Sequence, residues 1–359
     1  MCSSSFINGL RGFGVVLAMI AGLLAAQAET AGAVVHANGV ASHRLSQADV
    51  AKTKRFSAKA VHSEARALPT PEGDSLPPSP YRQAGPTGPP ITIPGAPPTI
   101  DTPASAEQSQ SPRRRGTALW PYSYSSNPNR QIGKIWFDVK QGAGTDWRSC
   151  SGTAINSGNK SMVMTAGHCV FSPDPDGNGR IETNRYWHEG VQFCPGYEYG
   201  CKLGTYYARK LYTTSSWFSG VSGRYNFKDD VGIILVNPRN GVKLVDAVGA
   251  QGSTYNQPVS QYRRAFGYPV FDNRWPARTW RDDMYFCDAT DSYNSLYGAV
   301  TMACTMTGGS SGGPWIIKAD SSWRGLVNSV NSHKLSETTM SGPYFDNTEY
   351  SLWQTAANG

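Results

Sequence analysis

The chain has 359 residues, enough for one sizeable domain with extensions or for two small domains. Its formal charge of +7 is spread along the sequence as a slight positive excess, and no segment is basic enough to read as a nucleic-acid surface. All ten tryptophans lie from Trp120 onward, while more than half of the 24 prolines fall between Pro69 and Pro112, so packing material and extended chain occupy different stretches and one folded domain is expected.

Residues 1–28 read as a secretory signal peptide: a short leading region with Arg11, an apolar run from Phe13 to Ala26, and a small-x-small site at Ala26-Gln27-Ala28. The apolar run is shorter than the roughly 20 residues that span a bilayer, so no membrane role is expected and the protein is read as secreted. Residues 29–68 are Ala-rich and polar, with room for a helix. Residues 69–112 are rich in Pro, Gly, Ser and Thr, which keeps a backbone extended. Together 29–115 read as a propeptide or Pro-rich linker, largely disordered, and Arg113-Arg114-Arg115 at its end reads as a processing site or a solvated charge cluster. The folded domain is expected over 116–359.

From Gln131 the texture changes to short apolar and β-branched stretches, Ile132 to Val139, Gly152 to Ile155, Met162 to Thr165 and Val231 to Val236, separated by Gly, Asn, Asp and Ser. That pattern predicts an all-β barrel or sandwich. No long stretch with helical apolar spacing follows residue 120, which disfavours an alternating α/β architecture.

After loss of Cys2 with the signal, six cysteines remain: Cys150, Cys169, Cys194, Cys201, Cys287 and Cys304. An even set in an exported chain predicts three disulfides. Spacing permits about fifteen pairings; the sequential set, 150 with 169, 194 with 201 and 287 with 304, is the preferred one. No CxxC or HxxxH spacing offers a structural metal site. The loop Asp174-Pro175-Asp176-Gly177-Asn178-Gly179-Arg180-Ile181-Glu182 places oxygen side chains at alternate positions before a glycine, as the start of a calcium loop does. Glu182 comes too early to close it, so a solvated turn is the default.

Three short segments carry the chemistry. Met164-Thr165-Ala166-Gly167-His168-Cys169 runs a strand into a turn that presents an imidazole, the usual general base near neutral pH. Asp229-Asp230-Val231-Gly232-Ile233-Ile234-Leu235 puts an acid directly before an apolar strand, and Asp230 adjoins the buried run. A carboxylate there is placed to hold an imidazole and fix its tautomer. Thr307-Gly308-Gly309-Ser310-Ser311-Gly312-Gly313-Pro314 surrounds a serine with glycines, which expose the hydroxyl and aim amide N–H groups at a developing oxyanion. A flexible linker would not lead straight into Pro314-Trp315-Ile316-Ile317.

In this order, and with Cys150-Ser151-Gly152-Thr153 and Gly267-Tyr268-Pro269, the chain resembles chymotrypsin-like serine peptidases, particularly the bacterial secreted branch that includes glutamyl-endopeptidase-like enzymes. The resemblance implies two six-stranded antiparallel β-barrels with the active site between them. It implies His168 as general base, Asp230 as its orienting partner, Ser311 as nucleophile, and Gly309 and Ser311 as oxyanion donors. The substrate pocket would fall near Thr305 and near the stretch that contains Ser329. Protein or peptide substrates, a monomeric enzyme and no required cofactor follow. Ser310 stands where animal digestive members carry an aspartate, so activation through that ion pair is not available. No acid stands at the pocket floor, which argues against a trypsin-like preference, and the glutamate-reading histidine of the glutamyl branch has Val327 in its place, with His333 close by. A serine esterase and a catalytically silent binding protein of the same fold are the rival readings.

Overall fold

A computed structural model of the chain describes residues 1, 32–55, 65–67, 85–100, 117–139, 146–175, 180–224, 226–269 and 283–359. The expected signal peptide after Met1, the Arg113–Arg115 run and residues 176–179 of the candidate calcium loop lie outside them. From Gly32 onward the described residues belong to one unit, Ala31–Gly359.

The stretch before residue 117, read from sequence as largely disordered, carries regular structure in its described parts. A hairpin of β1 (Gly32–His36) and β2 (Val40–Arg44) leads into α1 (Gln47–Arg55), and β3 (Arg66–Ala67) and β4 (Ile91–Ile93) follow. Helix α1 starts where Ser46 and Asp49 exchange backbone-to-side-chain hydrogen bonds, a reciprocal cap that satisfies two otherwise orphaned amides. Strand β5 (Thr117–Leu119) opens the expected domain.

The four apolar stretches named above fall in β6 (Ile132–Asp138), β7 (Trp147–Ile155), β8 (Met162–Thr165) and β13 (Gly232–Val236). Between β8 and β13 the chain adds the short pair β9 (Phe171–Ser172) and β10 (Tyr186–Trp187), β11 (Glu189–Pro195), β12 (Tyr206–Thr214) and the single-turn helix α2 (Ser215–Ser219), which the sequence pattern did not single out. Strands β12, β11, β6, β7, β8 and β13 pair in that order, all antiparallel, and β13 returns to β12, closing a six-stranded barrel. Every residue of β6, β8 and β13 is buried, as a closed barrel covered on its outside requires.

The second half contains α3 (Leu244–Val248), β14 (Gly252–Tyr255), β15 (Tyr262–Gly267), β16 (Tyr285–Thr290), β17 (Ser292–Asn294), β18 (Ala299–Ala303), β19 (Pro314–Ile317), β20 (Leu326–Val330), β21 (His333–Ser336), β22 (Thr339–Pro343) and the C-terminal helix α4 (Asn347–Ala357). It forms two sheets, ordered β4-β14-β20-β19-β15-β16-β5 and β17-β18-β22-β21. The fold is thus all-β, with one closed antiparallel barrel and further sheets. Around Trp315, Met302, Met306 and Tyr344 this half has an apolar cluster of its own, apart from the larger core built on Trp136, Phe137 and Ile234.

Three disulfides link Cys150 to Cys169, Cys194 to Cys201 and Cys287 to Cys304, the sequential set.

Candidate active site

Strand pairing alone brings two of the three sequence-predicted residues together. Thr165, the last residue of β8, pairs with Gly232, the first of β13, so the turn after β8 and the loop before β13 lie side by side. His168 occupies the first and Asp230 the second. Asp230 Oδ2 accepts from His168 Nδ1 at 2.8 Å, and Asp230 Oδ1 accepts from the His168 backbone N–H at 2.8 Å. One carboxylate therefore grips both the ring and the main chain of the same residue, which fixes the imidazole tautomer as well as its position. The Cys150–Cys169 disulfide ties the residue after His168 to β7.

A third donor reaches the carboxylate from a residue the sequence reading passed over. Ser332, between β20 and β21, donates its hydroxyl to Asp230 Oδ2 at 2.6 Å. Burial of the fully enclosed Asp230 opposes its charge, but the His168 imidazole and these donated hydrogen bonds outweigh it and hold the carboxyl below its ordinary value. His333 and His188, both fully buried, are each pushed down to about 3, chiefly by burial, and stay neutral.

Ser311 sits in the turn before β19, and its position is fixed from both halves. From β7, the Ser151 backbone N–H donates to the Ser311 carbonyl at 2.7 Å, and the Ser151 hydroxyl donates to the Gly309 carbonyl at 2.9 Å. The Tyr268 N–H in turn donates to that hydroxyl. From the end of β20, Asn331 donates through Nδ2 to the Ser310 and Phe266 carbonyls, while its backbone carbonyl accepts from the Gly312 N–H at 2.7 Å. Gly312 has φ +77, and a Cβ there would lie 2.0 Å from Thr165 Oγ1 and 2.7 Å from Ala166 N. Only glycine permits this approach, which seats the serine turn against the strand end that leads to His168.

Around these residues many polar atoms are spent on one another, but not all: His333 Nε2, beside Ser332, is buried without a partner, and so are two atoms of the sequence-predicted residues. Among the described residues, His168 Nε2 and Ser311 Oγ are buried and have no hydrogen-bond partner. A buried polar atom without a partner is costly, and one on a histidine or serine in such a setting is free to take part in chemistry or to meet a ligand. The ligand atoms of Cys150, His168 and Cys169 lie within 4.8 Å of one another, a metal-like spacing, but both sulfurs are committed to a disulfide and offer no thiolate.

The expected pocket residues lie elsewhere in the bonding scheme. Thr305 is exposed, and its backbone N–H and hydroxyl both engage Thr117 of β5. Ser329 is buried and donates its hydroxyl to the Pro343 carbonyl at 2.9 Å. Neither bonds to His168, Asp230 or Ser311 among the described residues. Besides Ser332, the sequence reading missed Asn331 as the support of the serine turn. Its only signal was a polar triplet, Asn331-Ser332-His333, at the end of an apolar strand.

No protein-family model matches the chain, and no curated protein matches its sequence. Solved structures do. Protease Anisep from Arthrobacter nicotinovorans is 33% identical over 66% of this chain and 99% of its own, with a TM-score of 0.54. A thermostable serine protease, AL20, from an extremophilic microorganism is 28% identical over 64% of this chain and 98% of its own, also with a TM-score of 0.54.

Proposed function

Because the chain belongs to the chymotrypsin-like serine proteases, we propose that it is a secreted serine endopeptidase using Ser311, His168 and Asp230 as its catalytic triad. One observation carries the reading: Asp230 accepts from His168 and Ser332, while His168 Nε2 and Ser311 Oγ are left unpartnered. Ser311 Oγ attacks the scissile carbonyl carbon as His168 Nε2 takes its proton. Asp230 stabilises the imidazolium, and the Gly309 and Ser311 amides take the oxyanion. His168 passes the proton to the leaving amine as the tetrahedral species collapses to an acyl-enzyme. Water, deprotonated by the same imidazole, then releases the acid and restores Ser311.

Export through residues 1–28 is part of the proposal. It is supported by three disulfides, which persist in oxidising compartments. Among the described residues no helix is long and apolar enough to cross a membrane. Placement beside the glutamyl-endopeptidase-like enzymes rests on the motifs alone, and the monomeric state is proposed with it.

The test incubates the purified protein and its Ser311→Ala variant with an unbiased peptide library and identifies cuts by mass spectrometry. Cleavage by the parent and none by the variant is expected. Equal cleavage by both, or no cleavage of peptides alongside hydrolysis of a simple ester, overturns the reading.

A further inference from the structure

We propose that residues 32–100 are a strand-donating partner of the catalytic body that stays bound when the chain is cut between them and residue 117, so that the processed protein is a two-piece complex. The proposal stands on sheet geometry and is independent of the peptidase reading.

The barrel seam supplies the first argument. Strand β11 covers β12 only at Tyr206 and Tyr207. Beyond that point the same edge of β12 is taken over by β2, with Lys210 to Thr214 pairing with Arg44 to Val40 in unbroken register. Without β2, a row of backbone donors and acceptors on a long strand would be left open, the kind of edge that recruits a partner strand. The joint is sealed at its ends: the Leu45 N–H donates to the Arg209 carbonyl at 3.1 Å, and the Ser215 N–H donates to the Gly39 carbonyl at 2.8 Å. Val40 and Ala41 are fully buried, and His43 stacks on Trp187 at 5.7 Å. Helix α1 then lies across β11 and β12.

The second half repeats the arrangement independently. Strand β14 pairs with β20 only through Gly252 and Ser253, and β4 fills its other edge at Ser253, Thr254 and Tyr255. The receiving surface is shaped for this visitor, because a Cβ on Gly252 would lie 2.4 Å from the Ile93 carbonyl oxygen. Side chains lock the register: Thr254 donates to the Ile91 carbonyl at 2.8 Å, Asn156 to the Pro94 carbonyl at 2.8 Å, and Thr99 to Asp246 at 2.7 Å. Two separated strands of one segment thus complete two separate edges, a bivalent grip in which release of either leaves the other holding. The similar proteases AL20 and Anisep cover about two thirds of this chain, which fits a catalytic body to which the segment is an addition.

The experiment uses the full chain carrying Ser311→Ala, with one site for a sequence-specific protease inserted within residues 101–116. After complete cutting, native size-exclusion chromatography with mass spectrometry of each peak is the readout. Both pieces are expected in a single peak at the mobility of the uncut chain. Elution of the N-terminal piece by itself, with the remainder at its own lower mass, overturns the proposal. In a second cut chain, Val40→Asp buries a carboxylate under β12 and is expected to lower the co-eluting fraction at least tenfold after dilution. Hydrogen exchange on the uncut chain checks the same contacts without any variant. The amides within Lys210–Thr214 that face β2, alternating with those that face β13, should be as protected as those of β6, and exchange of that alternate set at the rate of an open strand also overturns the proposal.

Discussion

Asp230 accepts three hydrogen bonds with two oxygens, and the donors come from three directions: the His168 ring, the His168 main chain and Ser332. Replacing the acid by an amide, Asp230→Asn, puts a donor where an acceptor is required and imposes the wrong imidazole tautomer. A loss of about 10⁴ in kcat is expected from the general behaviour of such triads, with KM little changed. Ser332→Ala removes one donor to a charged acceptor, which predicts about a tenfold fall in kcat from the ~1.5 kcal/mol such a bond contributes. An unchanged kcat in steady-state kinetics would show that Ser332 does not support the carboxylate. The neutral histidines make a separate prediction about stability. The unfolded chain binds protons at His188 and His333 below 6.5, whereas the folded chain does not until about 3. Their contribution is therefore complete above pH 6.5 and declines as the pH falls through that window, by about 1.4 kcal/mol per pH unit for each residue. Urea unfolding of the parent and of His333→Phe between pH 7 and 4 measures it; the variant should have the shallower slope, and equal slopes would refute the assignment.

At the scale of elements, the four apolar stretches that fall in β6, β7, β8 and β13 and the three motifs were legible because each is local. An apolar stretch announces its strand, and His168, Asp230 and Ser311 each sit beside one in a turn whose composition is distinctive. Ser332 was not legible, since it lies 102 residues from Asp230 and only the path of β20 delivers it. Helix α4 shows another long connection. Its cap Asp346 receives the ammonium of Lys228, the residue two before Asp230 in sequence, at 3.1 Å, and Asp229 receives it at 2.9 Å. Burial opposes the charge on Lys228, but Asp229, Glu349 and Asp346 raise its pKa, so the ammonium persists. Asp346→Ala loses the helix cap and half of that ion pair, and a cost of about 3 kcal/mol is expected in denaturant unfolding. Removing the Cys150–Cys169 bridge with a double alanine variant opens a loop of 19 residues and should cost a similar ~3 kcal/mol, lowering Tm by roughly 6–12 °C. A change below 1 °C would mean that the strands around His168 hold without the bridge.

For the whole molecule, the N-terminal segment is where sequence and structure differ most. Its proline content signals chain that cannot build a core, and that inference holds for an isolated segment. It does not exclude a segment that borrows a core, because strand addition is made by main-chain groups that every residue carries and composition does not encode. Val40 and Ala41 look unremarkable in sequence, and only the open edge of β12 gives them a place. Ser151 carries a further consequence. This one residue of the barrel holds the Ser311 turn of the other half through its amide and its hydroxyl together. Parting the two halves would break both bonds and release the Ser311 turn from the barrel. Activity should disappear at the same denaturant concentration as tryptophan fluorescence reports unfolding, making turnover itself a gauge of whether the chain is folded throughout.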